Sequence, residues 1–318
     1  MAEWRYEAGI GEARAILVEG ATLRAARIEL DRADARLGAV LAARLVEITV
    51  KGREGRVAFT GGEAMLSPLP PGITQGATLF VELTREAIPE PGRAKLPRCS
   101  PAEGPERAGP TLLERISATG VPVRLCLAHE PDHFEAAGWS EVLEEAETGD
   151  IAFSGPNGGA LRMSPTPAMT LFDVDGQHPL EPLALAAAHA VAAAIVRLDI
   201  GGSIGIDFPT LQGKAARAAV DAALDAGIPQ PFERTAMNGF GFVQIVRRRA
   251  RVSLPERIRA APAAAATRAL LRRIERTPPP VPSRHRVSMA VQKVLLANPD
   301  WIAELARRTG VAPVFEVA

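Results

Sequence analysis

The sequence predicts a multidomain chain of mixed α+β and α/β class, with a small β-barrel early, a strand–helix–strand unit in the middle and a helical segment at the end. Three observations carry that expectation. Residues 168–208 hold two apolar strand patterns, each ending in aspartate, with an Ala-rich helix between them, the layout of a βαβ crossover. Residues 38–83 break into short strand-like pieces at Gly and Pro, as small barrels do. A chain of 318 residues also exceeds one small core and fits two or three modules.

Taken in order, residues 9–30 alternate apolar and polar about Glu19-Gly20, which predicts a β-hairpin. The barrel follows, with strands expected at 40–50, 55–59, 63–66 and 77–83, separated by Gly61-Gly62 and by Pro68 to Gly72. Residues 88–110 are rich in Pro, Gly and charge and read as a boundary or a long exposed loop. A helix from Thr111, with Leu112, Leu113 and Ile116 on one face, leads into Val121–Leu127, expected as a buried strand. Trp139 to Glu147 reads as a surface helix, and Ala160–Met163 as the next strand.

After the central unit, Lys214–Ala226 carries Ala at positions that suit close packing of a helix on a sheet. Met237 to Val246 reads as a strand that runs directly into Arg247-Arg248-Arg249. Beyond Pro255, two helices are expected, over 256–276 and 284–309, with a short strand over 312–317.

Composition narrows the function classes. The formal net charge is zero, yet from Arg234 onward there are sixteen Lys and Arg against five Asp and Glu, so the earlier residues carry the balancing excess of acid. The split allows a basic surface for a polyanion at a neutral overall pI. The scarcity of aromatics, 4% with one Tyr, argues against an extended stacking platform for bases. Cys99 and Cys126 match no CxxC metal pattern and read as free thiols in a reducing compartment. No export leader begins the sequence, and the apolar run 183–196 contains His189 and is too short to cross a bilayer. A cytoplasmic protein with no membrane partner is the expectation.

The chemistry is expected at the two aspartate-tipped strands. Asp173 and Asp175 lie in Leu171-Phe172-Asp173-Val174-Asp175-Gly176, and Asp207 ends Gly202-Ser203-Ile204-Gly205-Ile206-Asp207. Carboxylates at the ends of neighbouring parallel strands emerge at one edge of a sheet, where open α/β sheets place their sites. Two or three such oxygen donors suit Mg²⁺.

Much of the chain resembles the ribonuclease E/G family, in order. Residues 10–30 resemble that family's opening hairpin, and Gly38 to Leu69, with Arg56-Val57-Ala58-Phe59, resembles its RNA-binding OB-type barrel. Arg85, with Arg93 and Lys95, lies where the family has a basic strand end and an RNA-contacting lysine. Residues 158–176 resemble the approach to the first catalytic aspartate, Leu198–Phe208 resembles the second, and Phe240–Arg249 resembles the strand closing the nuclease sheet.

The resemblance implies a ribonuclease H-like N-terminal part (1–35 with 111–145), an inserted OB-type barrel (36–98), a linker (99–110), a DNase I-like α/β catalytic domain (146–255) and a C-terminal helical region (256–318). It implies an endoribonuclease that hydrolyses single-stranded RNA, in RNA processing or decay. Asp173 and Asp207 would be catalytic and would hold Mg²⁺, with Mn²⁺ as substitute. Asp175, standing where the family has Asn, would be a further ligand. Phe59, Arg85, Arg93, Lys95, Arg247, Arg248 and Arg249 would hold the RNA. Residues 98–111 are too short for the family's 5′-end sensor, and no cysteine follows Cys126, so neither end sensing nor a zinc link is expected. The C-terminal helices could support a homodimer instead.

Two other readings stand beside this one. One is an RNA-binding protein on the same scaffold with weak or no cleavage. The other is a haloacid-dehalogenase-type phosphatase, which Asp173-Val174-Asp175-Gly176 also resembles, although Gln177 follows the glycine.

Overall fold

A computed structural model describes residues 1–31, 35–90, 94–155 and 158–317. It divides into two compact units, one made of residues 1–31, 112–141 and 258–318, the other of 32–111 and 142–257.

The chain opens with β1 (Ala2–Ala8), β2 (Glu12–Glu19) and β3 (Thr22–Leu30). The last two are the expected hairpin; β1 adds a strand antiparallel to β2. The barrel follows: β4 (Val40–Val50), β5 (Glu54–Phe59), β6 (Gly62–Leu66), β7 (Thr78–Arg85) and β8 (Arg98–Ala102) close in the order β4-β5-β6-β8-β7. Its core is Leu45, Val57, Leu66, Val81 and Leu83, sealed by Cys99 from β8. The segment 99–110 expected as a linker therefore contains the closing strand. Its Pro and charge hid it because β8 takes its partners from β6 and β7 rather than from a neighbour in sequence.

In the first unit, α1 (Leu112–Ser117) packs Leu112 and Ile116 against Trp4, Ala15 and Ala25 of the sheet. β9 (Val123–Leu125) pairs in parallel with β1 at the edge of the order β3-β2-β1-β9. The stretch 121–127 was expected as a buried strand, but β9 has a partner on one side only, and Leu125 and Leu127 are exposed. α2 (Trp139–Thr148) forms as expected on the surface, except that Trp139 is buried and meets Phe134 edge to face.

The second unit continues with β10 (Asp150–Ile151), β11 (Ala160–Pro165), β12 (Thr170–Asp175), α3 (Leu180–Arg197), β13 (Gly202–Asp207), α4 (Lys214–Gly227), β14 (Phe232–Arg234) and β15 (Phe242–Arg247). These strands form a six-stranded sheet in the order β10-β11-β12-β13-β15-β14. The β12–α3–β13 crossover is parallel as expected, while the neighbouring pairs are antiparallel. α3 is apolar because it is a core helix: Leu183, Ala184, Ala187, Ala188, Val191 and Ile195 are buried.

The C-terminal region is more divided than two helices. It contains α5 (Leu254–Ala260), α6 (Pro262–Glu275), β16 (Arg284–Val287), α7 (Met289–Ala297), α8 (Pro299–Thr309) and β17 (Val314–Val317), with β16 and β17 paired in parallel. From Ile258 this region belongs to the same unit as the N-terminal sheet. Leu271, Ile274, Leu295 and Leu305 share a core with Ile10.

A buried ionic cluster ties that unit together. Arg14 donates from Nη1 to Glu7 (2.7 Å) and from Nε to Glu12 (2.6 Å). Arg268 of α6 donates to Glu12 (2.7 Å), and Arg272 to both Glu7 and Asp132 (2.8 and 2.7 Å). Arg268 and Arg272 belong to the basic C-terminal part of the chain. The structure spends both on buried carboxylates, which removes them from any RNA surface.

Candidate functional site

Strand alternation places the three aspartates on one face. In β12, Thr170, Phe172 and Val174 are buried while Asp173 and Asp175 are exposed. In β13, Ile204 and Ile206 are buried and Asp207 is exposed. Successive side chains of a strand point to opposite faces, so the buried set packs the core and the carboxylates face solvent. The parallel register pairs Thr170 with Ile204 and Asp173 directly with Asp207. Asp175 follows two residues beyond Asp173 on the same face.

Burial and neighbouring charge both act on the central carboxyl. Partial burial, then the charges of Asp175 and Asp207, push Asp173 above the usual carboxylate range, and Arg162 draws it back down. Such an excess of hard oxygen donors at an exposed edge fits a divalent cation. Among the described residues no group of three or more His, Cys, Asp or Glu side chains is already gathered into a metal cage. Mg²⁺ does not need one, since it binds through one or two carboxylates and keeps waters.

Several residues around this edge escaped the sequence reading. Arg162 of β11 lies directly across from Asp173, and its Nε donates to Asp150 at 3.1 Å. Its exposed place in the β11 alternation was legible, but its partner strand was not. Gly205, between the aspartate-tipped strands' apolar positions, is a close approach: a Cβ there would meet Leu171 Cδ2 and Phe242 Cζ, each at 2.8 Å. On the next strand Phe242 pairs with Asp207, and the loop before it is held by Asn238, whose side chain accepts from the backbone N–H of Phe240 and Phe242 (2.9 and 3.0 Å).

The residues expected to hold RNA fall into separate places. Phe59 at the end of β5 is half-buried against the barrel core. Lys95 is ion-paired with Glu90, and Arg93 lies outside the described residues. Arg85, at the end of β7, donates to the Leu96 carbonyl (3.1 Å). Its guanidinium is drawn below the ordinary arginine range by burial and by the charges of Arg98 and Arg249. Arg249 is ion-paired with Glu256, Arg248 is exposed, and Arg247 donates to the Ile200 carbonyl (2.8 Å).

Arg85, Arg98 and Arg249 lie together where the barrel meets the sheet, Arg98 paired with Glu54 (3.4 Å) and Arg249 with Glu256, and the Glu86 N–H to Ala250 carbonyl bond (2.9 Å) fastens that junction. This basic group is at the opposite end of β15 from the carboxylates. Phe242 pairs with Asp207, whereas Arg247 pairs with Gly202, and five residues of strand span about 17 Å. No protein-family model matches the chain, and no curated protein matches it significantly.

Proposed function

We propose that this chain is a divalent-metal-dependent endoribonuclease of minimal ribonuclease E/G type, hydrolysing single-stranded RNA in cytoplasmic RNA processing or decay. The observation that carries the reading is the in-register pair Asp173 and Asp207, on adjacent parallel strands with Asp175 on the same exposed face. In this reading the four-stranded sheet with α1 is the ribonuclease H-like part, the closed barrel is of OB type, and the six-stranded sheet with α3 and α4 is the DNase I-like nuclease layer.

Asp173 and Asp207 would hold Mg²⁺ or Mn²⁺, with Asp175 as a further oxygen ligand. The ion, when bound, supplies Lewis-acid activation of water and neutralises charge at the phosphate. The chain itself supplies position. α3 and the buried strand residues hold the carboxylates in register, and Arg162 offsets part of their repulsion. Arg85, Arg98 and Arg249 would take phosphates of the same strand several nucleotides away, an attachment that weakens with salt.

The test is cleavage of an end-labelled single-stranded RNA in Mg²⁺ or Mn²⁺ by wild type, Asp173→Asn and Asp207→Asn. Cutting by wild type and loss of cutting in both variants is the expected result. Equal cutting by the variants would remove the metal-site assignment. Binding without cutting by wild type would favour an RNA-binding protein on this scaffold. Phosphate release from a small phosphoester through a covalent intermediate on Asp173 would favour the phosphatase.

A further inference from the structure

We infer that Phe240 is a nucleobase-stacking site beside the carboxylate edge, an inference that rests on the ribonuclease reading above. Of the ten phenylalanines, all within the described residues, eight are buried or half-buried. Phe80 is 38% exposed and Phe240 is 84% exposed. A ring left that open forgoes the burial that drives aromatic side chains inward.

The loop that presents Phe240 is firmly built. Its N–H donates to Asn238 Oδ1 (2.9 Å), and its carbonyl accepts from Thr210 Oγ1 (3.4 Å). The next residue, Gly241, has φ +95°, a conformation glycine adopts without strain. The Gly241 carbonyl accepts from the Phe208 N–H (3.1 Å), and its N–H donates to the Asn238 carbonyl (3.2 Å). Phe208 directly follows Asp207, so the loop is bonded to the chain leaving the carboxylate edge.

The placement can be bounded. Asp207 and Phe242 are cross-strand partners, with Cα atoms about 4.5–5.5 Å apart, and two residues of chain reach at most about 7 Å. The Cα of Phe240 is therefore within about 13 Å of that of Asp207. A solvent-facing ring on this hydrogen-bonded loop, so near the proposed cleavage site, suits the flat face of an unpaired base, which stacks on aromatic side chains with little regard to sequence. The basic residues are about 17 Å away along β15 and could not orient the nucleotide at the carboxylates. Phe240 would do so, as a positioning residue for a base flanking the scissile phosphate.

The experiment measures binding of a fluorescein-labelled ten-nucleotide single-stranded RNA by anisotropy, in EDTA and low salt, for wild type, Phe240→Ala, Phe240→Leu and Phe240→Trp. The expected result is roughly 5- to 100-fold weaker binding for Ala and for Leu, with Trp close to wild type. Melting temperatures should be unchanged, because the ring is exposed. Wild-type affinity in the Ala variant overturns the stacking site and leaves the ribonuclease reading standing. Wild-type affinity in the Leu variant overturns it as well, since that would show apolar contact without stacking. A large drop in melting temperature for Ala shows a packing role and overturns it too. Failure of wild type to bind this RNA overturns the stacking site, and cleavage in Mg²⁺ or Mn²⁺ then decides the ribonuclease reading separately.

Discussion

Replacing Glu7 by Gln should cost this protein a large part of its stability, although Gln keeps the shape of the side chain. Glu7 is 5% exposed, and its carboxylate accepts four hydrogen bonds. Arg14 Nη1 and Arg272 Nε reach Oε1 at 2.7 and 2.8 Å, and Arg272 Nη2 and Arg276 Nη1 reach Oε2 at 3.1 and 3.3 Å. An amide leaves its oxygen to two of these donors and turns an NH₂ group toward the other two. It also removes the charge that faces three guanidinium groups, one of which, Arg14, is only 1% exposed.

Removing one partner of a buried pair costs about 3–5 kcal/mol, because the remaining charge stays buried without compensation. For a domain of ordinary stability that is about a fifth or more of the total, and it lowers the melting temperature by roughly 5–20 °C, the upper end applying if the unit holding the cluster melts on its own. The comparison variant is Glu19→Gln, which breaks the Arg24–Glu19 pair (3.0 Å), both of whose side chains are about half exposed. That pair should contribute no more than about 1 kcal/mol. Thermal unfolding followed by circular dichroism, with urea midpoints as a second measure, reads both. If Glu7→Gln lowers the midpoint no further than Glu19→Gln, the cluster does not stabilise the fold in the way described.

Two further outcomes follow from the site. Gly241→Ala forces an L side chain to φ +95° with its Cβ against the carbonyl oxygen of Phe208, so it should lose at least about 1–3 kcal/mol and cleave RNA more slowly; a variant as stable as wild type would contradict this geometry. Asp173 is raised above the ordinary carboxylate range in the folded chain, so its charge opposes folding above that range and the opposition fades as acid protonates it. Asp173→Asn should therefore melt higher than wild type near pH 7, with the gain shrinking toward pH 4; an equal gain at both pH values would refute the repulsion.

Much of this sheet edge is legible in the amino-acid sequence alone. The alternation Thr170-Leu171-Phe172-Asp173-Val174-Asp175 separates core from solvent positions by itself, and the Ala-rich helix between two apolar runs specifies a crossover. That is why the carboxylates, the βαβ unit and the opening hairpin were found. Strand period also shows which residues share a face, and it places Asp173 and Asp175 together.

Non-local pairing was not legible. β8 has Pro101 in it and no apolar alternation, yet it closes the barrel through β6 and β7. Arg268 and Arg272 look like a solvated basic helix face, yet carboxylates more than a hundred residues away in sequence bury them. Residues 168–208 by themselves determined that aspartates would crown a parallel strand pair. Only tertiary structure decided that Asp173 and Asp207 lie in register, that Arg162 lies across from Asp173, that Arg247 ends β15 away from the carboxylates and that Phe240 is left open in the loop before that strand. Periodicity reports which face of an element is buried, whereas register and neighbour are set by contacts between segments far apart in the chain.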